Sequence, residues 1–266
     1  AREAVFQTCK KKYYYLYSAG AEDASINRFK NLKSRFLLRS LILKNTIFNL
    51  ITDSVYGFEI EIEQYVNAAI REISAAIKNE LLLFEKYYNI SDSIDYNVFY
   101  FETEIMLVNF FRSDIFKFLK TLQPKEIIIP AIERESRSFE FLDFQIYFQP
   151  DIIINTAGKI LAVNLFFNGR EKKNSEQLQL NAALSLLFYK HFHQLKNSFS
   201  VYCFFLKDNC GVELEEEAIK IADQINYLKN SIASMLFYLS KNEPSEFTAT
   251  ENISQCRFCN FNKLCR

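Results

Sequence analysis

Apolar residues recur at helical intervals through the first half of the chain and at strand intervals through much of the second. From about Ile26 to Leu50, the positions Phe29, Leu32, Phe36, Leu37, Leu41, Leu43, Ile47 and Leu50 mark one amphipathic helix. Arg28, Lys30, Lys33, Arg35, Arg39 and Lys44 lie between them and read as a solvated basic face. A second helical pattern runs from Phe58 to about Tyr88, and a third from about Val98 to Leu122, ending ahead of Pro124. Beyond Pro124 the period shortens. Residues 126–130, 139–147, 151–154 and 159–167 are short, β-branched or aromatic runs separated by polar breaks, and they predict four strands, the last two joined by a turn at 155–158. A helix over 174–193, a strand over 199–206 and a closing helix over about 213–239 complete the pattern. This order predicts an α/β fold: a small mixed sheet with flanking helices, preceded by a helical region. In segments, 1–19 forms an N-terminal element, 20–123 the helical region, 124–240 the α/β core and 241–266 a cysteine-bearing tail, all within one compact unit.

Composition sharpens this picture. The chain of 266 residues holds 27 Phe and 15 Tyr but only 5 Gly and 4 Pro, so few breakers interrupt it and long regular elements are expected rather than disorder. No apolar run approaches the roughly 20 residues that span a bilayer, and the first residues lack the apolar stretch of a signal peptide, so a soluble, cytoplasmic protein with no membrane partner is expected. Lys plus Arg equals Asp plus Glu at 32 each, so no overall field would draw in a polyanion and any nucleic-acid contact must be a local patch. One such patch is Lys10, Lys11, Lys12, Tyr13 and Tyr14, where basic side chains beside aromatic ones can hold phosphate and stack on bases. The alternative is a short helix whose tyrosines pack inward while its lysines face water.

Three of the six cysteines, Cys256, Cys259 and Cys265, stand at C-x2-C-x5-C spacing and can reach one metal centre. They need a fourth ligand. If it lies near the N-terminus, the two ends of the chain are pinned together. Cys203, inside an apolar strand, and Cys210, in the turn before Gly211, read as ordinary residues.

Pro150-Asp151 near a strand start is followed, thirteen positions after the Asp, by Asn164-Leu165-Phe166 on a strand and then by a helix opening near Gln177. This layout resembles the PD-(D/E)XK nuclease superfamily. In such a site an Asp at one strand end and an acid on the next bind Mg²⁺, and a Lys two residues further on orients the attacking water. Residues two apart on a strand share a face, so the acid and the Lys project together. The resemblance is closest to the RecB-like branch that carries an iron-sulfur cluster, as in AddB-type recombination nucleases and CRISPR adaptation nucleases. It rests on Cys9-Lys-Lys-Lys-Tyr-Tyr14, with Lys10 where Pro is usual, and on Cys256-Arg-Phe-Cys259-Asn-Phe261-Asn-Lys-Leu-Cys265, and it covers essentially the whole chain. It implies Cys9 as the fourth ligand and a 4Fe-4S cluster; by spacing alone, Zn²⁺ on four thiolates is the alternative. Such a centre would act as a staple across a loop of about 250 residues.

At the active site the sequence departs from the pattern. Asp151 matches the first metal ligand, but Asn164 replaces the second carboxylate, Phe166 replaces the Lys, and Asn181 stands for Tyr in the helix signature that begins at Gln177. Tyr56-Gly57-Phe58-Glu59 occupies the place of an upstream His, and the two histidines, His191 and His193, read as surface or core residues. One carboxylate and an amide hold Mg²⁺ poorly, and a Phe cannot activate water. The resemblance therefore implies a nuclease-derived, catalytically inactive iron-sulfur protein. It would bind DNA or a protein partner such as a helicase or nuclease subunit, in DNA repair, recombination or phage defence. Arg170, Lys172 and Lys173 join Lys10, Lys11 and Lys12 as expected backbone contacts. The alternative is an active Mg²⁺-dependent deoxyribonuclease in which Asp151 is joined by a displaced group, with Glu140, Asp143 and Lys159 as candidates.

Overall fold

The computed structural model describes residues 2–19, 24–30, 35–88, 95–131, 138–141, 143–169, 175–193, 197–241, 243–252, 256 and 259–265. Arg170, Lys172 and Lys173 lie outside the described residues. Contacts gather the chain into two compact units, one of residues 38–75 and 92–224, the other of residues 1–37, 76–91 and 225–266. Among the described residues no helix is long and apolar enough to cross a membrane.

The larger unit is α/β, with a mixed five-stranded sheet in the order β1-β4-β5-β6-β7. Its strands are β1 (Ile127–Ile128), β4 (Ile152–Asn155), β5 (Lys159–Phe166), β6 (Ser198–Phe205) and β7 (Cys210–Glu215). β1 with β4, β4 with β5, and β6 with β7 are antiparallel. β5 and β6 are parallel, and the crossover that parallel pairing demands is the helix α8 (Ser175–Phe192). Period-two alternation divides β5 between two faces. Ile160 and Ala162 pack with Val201, Cys203 and Phe205 of β6 and with Ala182, Ala183 and Leu186 of α8 into one buried cluster. Small residues on α8 let the helix lie close to the sheet. A separate hairpin, β2 (Ser138–Phe141) with β3 (Phe144–Tyr147), sends Phe139 into the same cluster.

The first expected helix is described as α3 (Ala24–Lys30) and α4 (Arg35–Val55). Of its expected apolar stripe, Phe36, Leu37 and Leu41 are exposed, Leu32 lies outside the described residues, and the buried stripe begins further along. In α4, Leu43, Ile47, Leu50 and Ile51 are fully buried at the spacing of one helix face. In α5 (Ile62–Tyr88), Val66, Ala69, Ile73 and Ile77 are buried along one face. The third expected helix divides into α6 (Tyr96–Arg112) and α7 (Asp114–Leu119), because Ser113 takes an extended backbone and its hydroxyl accepts the Phe116 N–H at 3.2 Å, capping a new helix.

Three expectations are corrected. The run 139–147 is not one strand but the β2–β3 hairpin, in which Asp143 adopts a left-handed φ of 61°. The closing helix does not begin at 213: residues 210–215 alternate Cys210, Val212 and Leu214 with Gly211, Glu213 and Glu215 and pair with β6 as β7. Asn209, with φ 48°, turns the chain into it, and α9 (Ile221–Leu239) starts only after the Lys220 N–H has donated to Gln179 Oε1 at 2.9 Å. The basic face of α4 is not uniformly solvated either. Arg39 is buried, donates to Glu102 at 3.0 Å and lies over the Phe99 ring, and Lys44 is engaged in the ion pair described next.

The smaller unit brings the two ends of the chain together. Around α1 (Arg2–Thr8), α2 (Lys10–Tyr13) and the π-helical turn Tyr14–Ser18, Phe6 and Tyr13 pack with Phe247, Met235 and Tyr238. Tyr15 and Ala19 pack with Phe261, Ile26 and Phe29, the last two on α3 (Ala24–Lys30). The Lys11 N–H donates to Thr248 O at 3.1 Å, and the tail ends in the short helix α10 (Asn262–Cys265).

Candidate functional site

Two groups of residues singled out by the sequence are assembled, one in each unit. In the larger unit Asp151 stands in the bend that leads into β4. Its N–H donates to Val163 O at 2.9 Å, which fixes the backbone against β5. Its carboxylate is 8 % exposed as a residue, and both oxygens are engaged: Oδ2 accepts the Leu165 N–H at 2.6 Å, and Oδ1 is ion-paired with Lys44 Nζ of α4. A buried carboxylate needs this compensation, because unpaired charge in a low-dielectric interior is costly.

Asn164 and Phe166 share a face of β5, as their spacing requires. Asn164 is buried, and its Nδ2 donates to Ser185 Oγ at 2.9 Å. The Ser185 hydroxyl donates to Asn181 O at 2.9 Å, and Asn181 Nδ2 donates to Gln177 O at 2.7 Å. The amide at the expected second-ligand position is thus bonded to α8. Phe166 stacks on Phe205, with ring centroids 5.2 Å apart. Glu140 and Asp143 are exposed on the β2–β3 hairpin. Lys159 starts β5, roughly 17 Å along the strand from Asn164, and is paired with Glu213 at 2.7 Å and Glu215 at 3.3 Å. Among the described residues no three His, Cys, Asp or Glu side chains are grouped as metal ligands.

Lys44 is the residue that sequence reasoning missed at this site. A signal for it existed: Lys44 lies three, four and seven positions before Ile47, Phe48 and Ile51, all buried, so it shares the inward stripe of α4 rather than the outward one.

In the smaller unit, Cys9 immediately precedes α2, and its Sγ accepts the Lys12 N–H at 3.4 Å. Cys259 and Cys265 pack against Tyr15 and Phe261. The Tyr15 hydroxyl donates to Leu264 O at 3.0 Å, its ring stacks on Phe261, and Asn260 Nδ2 donates to Phe29 O at 3.0 Å. These contacts hold the tail against the N-terminal element and set the four thiols in one electrostatic neighbourhood. Burial pushes the Cys259 thiol up, with Cys9 and Cys256 adding to the rise and Lys12 opposing it. Burial, then Cys259, push Cys265 up to about 11, with Lys11 opposing. Metal ligation requires thiolates, so the raised Cys259 and Cys265 thiols would ionise more readily beside a bound cation. Four cysteine sulfurs are the donor chemistry of an iron-sulfur cluster or Zn²⁺, though among the described residues no three of them are grouped as metal ligands.

The remaining expected contacts divide. Tyr13 is 2 % exposed and packs edge-on against Phe6, so its ring is closed to stacking on a base, as the inward-packing alternative has it. Tyr14 packs on Phe247, and Lys10 Nζ lies over Tyr238 and donates to its hydroxyl at 3.1 Å. Lys11 and Lys12 lie near the thiols. His191 is exposed beside Phe139, and His193 stacks on Tyr189. Cys203 is buried in β6, and Cys210 opens β7. Compared with protein-family models and with curated proteins, the chain has no match.

Proposed function

We propose that this protein is a nuclease-derived iron-sulfur protein that has lost its chemistry and serves as a structural or interaction subunit in DNA repair, recombination or phage defence. The observation that carries the reading is the ion pair between Lys44 and Asp151. A divalent cation at a PD-(D/E)XK site needs two or more anionic oxygens, and the one carboxylate at the expected position here is neutralised by an ammonium and a main-chain N–H. The strand order, with three antiparallel neighbours and then a helix crossing over to a parallel strand, is compatible with the nuclease core that the sequence resembles.

Cys9, Cys256, Cys259 and Cys265 are the residues that would hold the cluster. When bound, the cluster supplies a cross-link between the chain's ends; Tyr15, Phe261 and Asn260 orient the tail to receive it, and Lys11 and Lys12 offset the charge of the thiolates. A protein partner is favoured over DNA alone, because Tyr13 is closed to base stacking, Lys10 is held by Tyr238, and the net charge is zero.

The test is to incubate the iron-loaded protein with Mg²⁺ or Mn²⁺ and single- or double-stranded DNA. No cleavage is expected. Cleavage that disappears on Asp151→Ala would overturn the proposal in favour of an active deoxyribonuclease.

A further inference from the structure

The face of the sheet turned away from α8 carries a cavity of about 280 Å³ in the larger unit, bounded by α7 and by strands β4 to β7. Its apolar wall is made by Ile115 and Phe118 of α7 with Ile154 and Leu161 of the sheet. Its polar edge is made by Lys159, Glu213 and Tyr202, and Glu215 stands beside them. Lys159 is shared between the two glutamates, the Ser200 hydroxyl donates to Glu213 at 2.8 Å, and Asp114 of the lining is paired with Lys117 at 2.8 Å, which leaves an excess of one carboxylate. Of these residues only Lys159 was a candidate partner of Asp151, and it stands at the far end of β5, paired with Glu213 and Glu215.

We propose that this cavity receives the side chain of a lysine or arginine presented by a protein partner. The excess carboxylate complements one positive charge, and the apolar wall suits the alkyl stem of a basic side chain. Phe118, 41 % exposed, adds an aromatic side chain to the lining, which suits a cationic guest. The volume lies at the lower end of ligand sites, which suits one side chain better than a larger molecule. The inference does not depend on nuclease ancestry or on the cluster.

The test is calorimetric or NMR titration of the intact protein with N-acetyl-arginine amide and N-acetyl-lysine amide, with N-acetyl-norleucine amide as the uncharged control. Saturable binding of the two cationic probes with a dissociation constant on the order of 1 mM is expected for ligands of this size, with resonances of Leu161 and Tyr202 shifting and norleucine amide at least tenfold weaker. Glu213→Gln should weaken binding about tenfold, and Lys159→Met, which removes the resident ammonium, should strengthen it. Circular dichroism of both variants checks that they fold. Equal binding of norleucine amide, indifference to Glu213→Gln in a folded variant, or no saturation by either cation would overturn the proposal. Tighter binding of spermidine than of arginine amide would also overturn it, by assigning the cavity to free polyamines.

Discussion

Replacing Lys44 by Met keeps most of the length and apolar stem of the side chain and removes only its charge, so the substitution isolates the ion pair with Asp151. Removing one partner of a fully buried pair costs about 3–5 kcal/mol. Two features reduce that figure here. The Lys44 side chain is 29 % exposed, so part of the pair is already screened, and the Leu165 N–H still donates to Oδ2 in the variant. A loss of about 2 kcal/mol follows, equivalent to a fall of roughly 4–8 °C in the melting of a domain of this size. Adding Asp151→Asn to Lys44→Met removes the stranded charge while the Asn oxygen can still accept from Leu165, and should recover about 1 kcal/mol. Calorimetric melting gives the global effect. Exchange of the Leu165 amide hydrogen gives the local one, faster in Lys44→Met and partly restored in the double variant. A Lys44→Met protein that melts within about 1 °C of wild type would refute the reasoning. A wild-type protein stabilised by Mg²⁺ through Asp151, with Lys44→Met binding the ion no differently, would do the same.

Other substitutions probe other parts of the molecule. Anaerobically purified protein should contain iron and sulfide in the proportion of a 4Fe-4S cluster and absorb broadly in the visible, and Cys9→Ser should lose both; stoichiometric zinc without iron would defeat the cluster assignment. Gly211→Ala in β7 would place a methyl group where the Tyr202 phenol lies, and should destabilise by about 1–3 kcal/mol through overpacking, measurable as a lower melting temperature. Burial raises the Glu102 carboxyl, but hydrogen bonds from Lys207 and Arg39 outweigh it and hold the group below its ordinary value. A carboxylate lowered in the folded state contributes stability that is present above its unfolded pKa of about 4.3 and is lost as the pH falls through the lower folded value. Melting of Glu102→Gln should therefore change less than that of wild type on acidification below about pH 4.3, and parallel curves would count against the assignment.

How much of this was legible in the sequence depends on whether the controlling contact is local. The stripe of α4 was readable only in part: Leu43, Ile47 and Leu50 are buried, whereas Phe36, Leu37 and Leu41, which fit the same period, are exposed. The strand β7 was not read, because Val212 and Leu214 are too few to declare an alternation and the following apolar residues suit a helix; pairing with Val201 and Cys203 of β6 decides the matter. Ser113 could have been read as a cap, since Asp114 sits in the first turn behind it. Asp151, Asn164 and Phe166 could be found by spacing along two neighbouring strands, but the partner of Asp151 could not. Lys44 comes from a helix far back in the chain, and no local pattern says where that helix will cross the sheet.

The way each of these positions is satisfied bears on the proposal that the chain keeps a nuclease-like fold without its chemistry. A relocated catalytic centre keeps polar groups whose natural partners are substrate, water or metal, so they remain under-bonded within the protein. Here the three positions are each closed by a neighbour that fits the residue now present. Asp151 has an ammonium and an N–H, Asn164 has the Ser185 hydroxyl, and Phe166 has the Phe205 ring. The contacts of Asn164 and Phe166 would not suit an acid and a lysine: a Glu at 164 would add a buried negative charge beside α8, and a Lys at 166 would be pressed against an apolar core. A Glu at 164 or a Lys at 166 alone would therefore strain the interior rather than create a metal site. This mutual fit supports the proposal of a fold kept for its surface and its assembly rather than for metal chemistry.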